Sequence, residues 1–242
     1  MRSKIRDFSE AELYGPVKAH FEKLGYLVRG EVKGCDIALV KDGEAAVVEL
    51  KRAFNISLLY QAVDRKKFVP QVYVAVPRHA FTKNRSQIKD ILKQLNIGLI
   101  TVSLDSPVKT VDVHLVPTAG KRSSARTKAL VAEVQGRTFD GNVGGRTKQK
   151  LLTVHRERCY HIACVLEKVG EASGAVLAKR HGCYKKAGFV MRRNVYGWFV
   201  RVSKGVYALS DEGRAALEDP NFQEIVGYYR KCITVDQQEL ST

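Results

Sequence analysis

Residues 34–51 read GCDIALVKDGEAAVVELK. At their centre Asp42-Gly43 is a strong two-residue hairpin signal, flanked by the apolar runs 37–40 and 45–50. Pairing Lys41 with Glu44 sets the register outward: Val40 faces Ala45, Leu39 faces Ala46, Ala38 faces Val47, Ile37 faces Val48, and Asp36 faces Glu49. Directly opposed residues have Cβ atoms about 4.5–5.5 Å apart, and like charges there repel. Two facing carboxylates at the end of an apolar hairpin want a cation between them. Alternation places Lys51 on the same side as Glu49, with Leu50 on the other. Oxygen ligands without Cys or His suit a hard ion, Mg²⁺ or Mn²⁺. The hairpin thus predicts Asp36, Glu49 and Lys51 converging on one small volume.

An Asp at the start of one strand and Glu-x-Lys at the end of the next resembles the PD-(D/E)XK nuclease superfamily. Here Cys35-Asp36 stands where Pro-Asp is usual, and Glu49-Leu50-Lys51 is the second half. LYGPVKAHFEKLGY, GEVKGCDIALV, VVELKRAF, LLYQAVDR and VYVAVP, then NVGG and NVYGWFVRVSKGVYALS, are similar to a bacterial family regarded as PD-(D/E)XK phosphodiesterases. That resemblance implies a restriction-endonuclease-like core, a mixed central sheet flanked by helices. It implies that an acidic residue on the first helix, Glu12, faces the metal. It also implies that a Gln on the helix after Glu-x-Lys, Gln61, points into the site. Glu12 is equally a capping residue, three after Ser9. Glu31, on a polar strand face, is the other candidate for an extra carboxylate. Arg65, four residues after Gln61, shares its face and is a weaker DNA contact.

The net charge of +16 suggests a polyanionic partner, most often nucleic acid. A solubility surface is the plainer alternative. No apolar run approaches the ~18 residues that span a bilayer, so no membrane role is expected. The start, MRSKIRDFSE, lacks the apolar core of a secretory signal. Five cysteines without a CxxC pair read as reduced thiols of a cytoplasmic protein, nucleoid-associated when bound to DNA.

Along the chain, apolar spacing and turn residues predict a helix near 9–24, then strands 26–32, 37–40 and 45–50. A helix capped by Asn55 or Ser57 follows, then a strand at 71–76, a helix at 84–95, and strands at 98–102 and 111–116. The nuclease-like domain is expected to span 1–117. Residues 118–150 turn rich in Gly, Ser, Thr, Lys and Arg and read as a basic linker. One short helix is expected within it, at 125–135.

Residues 151–242 form the second expected domain. Helices at 154–169, from 173 and at 184–195 precede a hairpin turning at Ser203-Lys204-Gly205, and Ser210 caps a further helix. Three helices and a two-stranded wing are the order of a winged helix-turn-helix. Lys185, Lys186, Arg192 and Arg193 on the third helix, with Lys204 at the wing tip, are the expected duplex contacts. Winged helices also serve protein contacts, and homodimerisation is left open.

The composite expectation is a metal-dependent DNA phosphodiesterase with Asp36, Glu49, Lys51 and Gln61 as catalytic residues. In the chemistry expected of it, Asp36, Glu49 and the Leu50 carbonyl hold the ion. The rival is a DNA-binding or regulatory protein whose nuclease fold is inactive.

Overall fold

A computed structural model of the protein describes residues 8–82, 84–105, 107–118, 120, 124–145 and 150–239, with 234–239 described by backbone alone. Asp42 and Gly43 both take positive φ, 52° and 78°, the geometry that a tight hairpin turn demands. They join β2 (Cys35–Lys41) to β3 (Glu44–Leu50). The register runs from Lys41↔Glu44 to Ile37↔Val48, as the sequence predicts. The ladder stops there. One residue further on, Asp36 turns its carboxylate to the partner strand, and Oδ2 accepts the Leu50 N–H at 2.8 Å.

The hairpin belongs to a six-stranded sheet in the order β1-β2-β3-β4-β5-β6. Its other strands are β1 (Leu27–Val32), β4 (Gln71–Pro77), β5 (Gly98–Ser103) and β6 (Thr110–Leu115). β3, β4 and β5 run parallel, and the remaining pairs are antiparallel. The parallel strands are buried on both faces, hence the near-continuous runs of Val and Ala. One face packs on α1 (Ala11–Lys23) through Leu13, Tyr14, Val17 and Phe21. The other packs on α2 (Ile56–Arg65), α3 (Arg85–Gln94) and α4 (Ala125–Gly136). Asn55, one of the two expected caps, closes the start of α2: its Oδ1 accepts the Leu58 N–H at 2.9 Å. This is an α/β fold with a mixed sheet flanked by helices, consistent with a restriction-endonuclease-like core.

The expected linker at 118–150 needs correction. The first compact unit is Met1–Leu151, and the described part of the basic stretch lies within it. α4 packs Leu130 and Val134 into the sheet core. Arg137 is 3% exposed, and its Nη1 donates to the Gly30 carbonyl at 3.0 Å while Nη2 donates to that of Glu31 at 3.2 Å. Asp140 pairs with Lys18 and accepts the Tyr14 hydroxyl at 3.0 Å. A basic composition therefore conceals a structural strap, in which Arg137 satisfies buried backbone acceptors.

The second unit is Leu152–Thr242. It comprises α5 (Val154–Val169), β7 (Glu171–Ser173), α6 (Gly174–Arg180), α7 (Ala187–Arg193), β8 (Phe199–Ser203), β9 (Val206–Leu209), α8 (Asp211–Leu217) and α9 (Gln223–Glu239). The short β7 makes the hairpin a three-stranded sheet, β7-β9-β8. α7 is shorter than expected, since Asn194 takes a left-handed φ of 43° and ends it. α6 meets α7 at two glycines: a Cβ on Gly174 would lie 2.3 Å from the Gly188 nitrogen. Among the described residues no helix is long and apolar enough to cross a membrane, and all five cysteines are free thiols.

Candidate active site

Strand alternation selects the face on which the site forms. Val47 and Ala45 point to the α2–α4 side, and Glu49 follows them; Ala38 and Val40 point the same way, and Asp36 follows them. Both acids therefore reach one face at one end of the hairpin. Glu49 is only 1% exposed. Burial first, and the charge of Asp36 second, push its carboxyl from 4.5 up to about 7. Asp36 is also raised, chiefly by burial, against the lowering effect of its bond to the Leu50 N–H. Two carboxylates here cost the fold more than they return when both are charged.

Two cations offset part of that cost. Arg65, at the end of α2, donates from Nε to Glu49 Oε1 at 2.8 Å and from Nη2 to the Gly34 carbonyl. Lys51 lowers both acids' pKa through its charge, and its Nζ pairs with Glu10 Oε2 at 3.1 Å. The structure thus brings Asp36, Glu49, Lys51 and Arg65 together. Arg65, expected as a DNA contact, is instead committed to Glu49 and the β1–β2 turn.

The other expected residues sit as follows. Leu50 shows its N–H to Asp36, while its side chain is fully buried on the α1 face. Gln61 lies one turn before Arg65 on α2, and its Oε1 is buried without a hydrogen-bond partner among the described residues. Glu12 serves the start of α1: its Oε2 accepts the Ser9 N–H at 2.8 Å. Glu31, at a positive φ of 50°, accepts the Gly145 N–H on Oε1 at 2.9 Å. The acidic residue that reaches the site from the start of α1 is Glu10, its N-cap residue, through its pair with Lys51. The Ser9–Glu12 capping box was the available signal, because it commits Glu12 and leaves Glu10 over.

The NVGG segment completes the site's wall. A Cβ on Gly144 would fall 2.4 Å from the Asp36 carbonyl oxygen, and one on Gly145 2.9 Å from Glu10 Cβ. Only a side chain of hydrogen lets this loop approach the backbone that carries Asp36.

Among the described residues no group of three or more His, Cys, Asp or Glu side chains is arranged to hold a metal ion. The donor set is narrower: Asp36 and Glu49, each with one oxygen engaged as above. Neither Asp36 Oδ1 nor Glu49 Oε2 has a hydrogen-bond partner among the described residues. A buried and a half-buried carboxylate, partly uncompensated and all-oxygen, fit a hard divalent cation.

Residues 100–216 match the model of a family described as "Putative PD-(D/E)XK phosphodiesterase (DUF2161)". The chain resembles the PD-(D/E)XK phosphodiesterases. The match supports phosphodiesterase or nuclease chemistry in general terms. It opens in β5 and closes in α8, so it includes the Gly144-Gly145 wall and excludes Asp36, Glu49 and Lys51. The family match therefore says nothing of the two acids, which stand on their geometry alone. No curated protein and no solved structure matches the chain.

The expected duplex contacts all lie in the second unit. Lys185 and Lys186 are exposed just before α7, Arg192 and Arg193 are exposed in its last turn, and Lys204 is exposed at the β8–β9 turn. Arg192 stacks over the exposed Phe189 ring at 5.8 Å.

Proposed function

We propose that this protein is a metal-dependent nuclease that hydrolyses DNA, with the second unit acting as a winged helix that binds duplex. The observation that carries the reading is the placing of the half-buried Asp36 and the buried Glu49 on one sheet face, with Glu49 pushed up to about 7 partly by its neighbour's charge. Asp36 and Glu49 would hold Mg²⁺ or Mn²⁺, with the Leu50 carbonyl as the expected third donor. The ion would supply an acidified water and a polarised phosphoryl group. Lys51, steadied by Glu10, offers a fixed positive charge where the phosphate becomes more negative. Arg65 orients Glu49 by taking Oε1, which leaves Oε2 for the ion. Gln61, with its orphaned carbonyl oxygen, has one acceptor to offer a water or the ion.

In the second unit, the order α5-α6-α7 followed by the β8–β9 hairpin supports the winged-helix reading, and the exposed basic residues supply a phosphate-facing surface. Such a protein would work in the cytoplasm, at the nucleoid. The test is plasmid and branched DNA incubated with Mg²⁺ or Mn²⁺, against EDTA, Asp36→Ala and Lys51→Ala. Metal-dependent cleavage lost in both variants supports the reading. Cleavage that survives both substitutions overturns it.

A second reading has its own support. Arg65 already sits on Glu49, and Lys51 is already paired with Glu10. A DNA-binding protein with a silent nuclease fold would look the same, and would bind DNA without cutting it under any metal.

A further inference from the structure

Phe81, at the end of a 3₁₀ turn (Arg78–Phe81) that continues β4, is 3% exposed and packs into the α2–α4 core. Basic groups crowd around its ring. The Arg85 guanidinium lies 5.7 Å from the ring centroid, Lys89 Nζ lies 5.9 Å away, and the His114 ring lies 5.1 Å away. Arg78 joins them from the start of the turn, with its charge matched by Asp112 at 2.6 Å. Among the described residues no carboxylate pairs with Arg85 or Lys89. His114 shares a hydrogen bond with Thr101 at 2.8 Å, and burial, then the Lys89 charge, hold it below the usual histidine range against the opposing charge of Asp112, with Arg78 and Arg85 adding to the lowering. Asp112 offsets Arg78 and part of the field at His114, but Arg85 and Lys89 have no carboxylate of their own among the described residues; their excess positive charge raises the local potential, and an anion relieves it.

The cluster's place in the sheet says which anion. Glu49 pairs in register with Val74 on β4, Val76 with Thr101 on β5, and Thr101 with Asp112 on β6. Glu49 and Thr101 point to the same face, as their neighbours Val47 and Leu99 show. β3 and β6 are three strand spacings apart, about 14 Å, or roughly four nucleotide steps along a duplex axis. The cluster and the acid pair thus share one face and the end of the sheet where the parallel strands finish.

We propose that Arg85, Lys89 and His114, gathered on Phe81, form a phosphate-contact site that holds the nucleic-acid backbone a few nucleotides from the Asp36–Glu49 pair. The inference rests on the nuclease reading for its polymer, and it assigns the first unit a grip of its own, separate from α7. Arg85, exposed, and Lys89, half-buried, supply the charge. His114, fixed on Thr101, forms the floor.

The experiment measures binding of the full chain to a short fluorescein-labelled duplex in EDTA, across a salt series. Arg85→Gln/Lys89→Gln is compared with Lys23→Gln/Lys128→Gln, which removes the same charge from exposed positions elsewhere on the unit. The cluster variant should bind about tenfold more weakly, and its log–log salt slope should fall by about 2. The control should change affinity less than about twofold. Because Arg85 Nε also donates to the Phe81 carbonyl at 3.1 Å, Lys89→Gln alone is measured too, with thermal midpoints for every variant. It should lower the slope by about 1. Wild-type affinity in the cluster variant, or an equal loss in the control, overturns the proposal. Binding that depends on the cluster without cleavage under any metal would overturn the nuclease reading and leave this one standing. Cleavage with cluster-independent binding would do the reverse.

Discussion

Arg65 Nε lies 2.8 Å from Glu49 Oε1, an ion pair between a side chain 17% exposed and one 1% exposed. A buried carboxylate that loses its partner is left with its full desolvation cost. Arg65→Ala should therefore destabilise the first unit by about 3 kcal/mol at pH 8. In a Glu49→Gln background the same change should cost less than about 1 kcal/mol, since no charge remains to strand. Chemical denaturation of the four proteins checks this. An equal cost in both backgrounds would mean that Arg65 matters through its contact with Gly34 alone.

Stability should depend on pH in an unusual direction. The Glu49 carboxyl rises from 4.5 to about 7 on folding, through burial and then the Asp36 charge. Between those values the native chain keeps a proton that the unfolded chain has released. Stability is thus greatest below about pH 4.5 for this group and falls as pH climbs to 7, by up to about 3 kcal/mol. Glu49→Gln should flatten that fall. Mn²⁺ should also flatten it, by stabilising the ionised pair. Thermal midpoints at a series of pH values, with and without Mn²⁺, give the comparison.

Gly144→Ala tests the loop that walls the site. Its Cβ would meet the Asp36 carbonyl oxygen at 2.4 Å, a contact neither backbone can yield cheaply. The expected cost is about 1–3 kcal/mol of stability. Displacing Asp36 by an ångström should lower metal-dependent cleavage about 100-fold. Gly43→Ala is the reference: its Cβ would meet nothing within 4 Å, though its φ of 78° carries a backbone cost. It should lower stability without a comparable loss of cleavage.

The second unit makes a separate prediction. Lys185→Gln/Arg192→Gln should weaken duplex binding and lower the salt slope by about 2. Phe189→Ala, which removes the ring under Arg192, should weaken binding with little change in slope. A salt slope unchanged by the charge variant would place the duplex elsewhere.

The parts of this molecule that could be read from the chain are those whose cause is local. Asp42-Gly43 dictated its own turn, and the register of β2 on β3 followed by counting. The apolar spacing of 154–169 returned as α5 over the same residues. What could not be read depends on partners far along the chain. Nothing near Arg137 announces that it will satisfy the Gly30 and Glu31 carbonyls, so a structural strap looked like a linker. Arg65 is a surface-type residue by composition, and its commitment to Glu49 appears only once α2 lies on β3. Glu10 and Glu12 differ by two positions, and the capping bond to Ser9 decides which of them is left for Lys51. Gly144 and Gly145 mark breaks in the sequence, and only the fold shows that they are spacers against Asp36 and Glu10.

The most direct measurement is calorimetric titration of Mn²⁺ into the full chain, beside Asp36→Asn and Glu49→Gln. The shared-cation reading of Asp36 and Glu49 predicts saturable binding to the wild type and its loss in each variant. Undiminished Mn²⁺ binding in either variant, or none in the wild type, would contradict it.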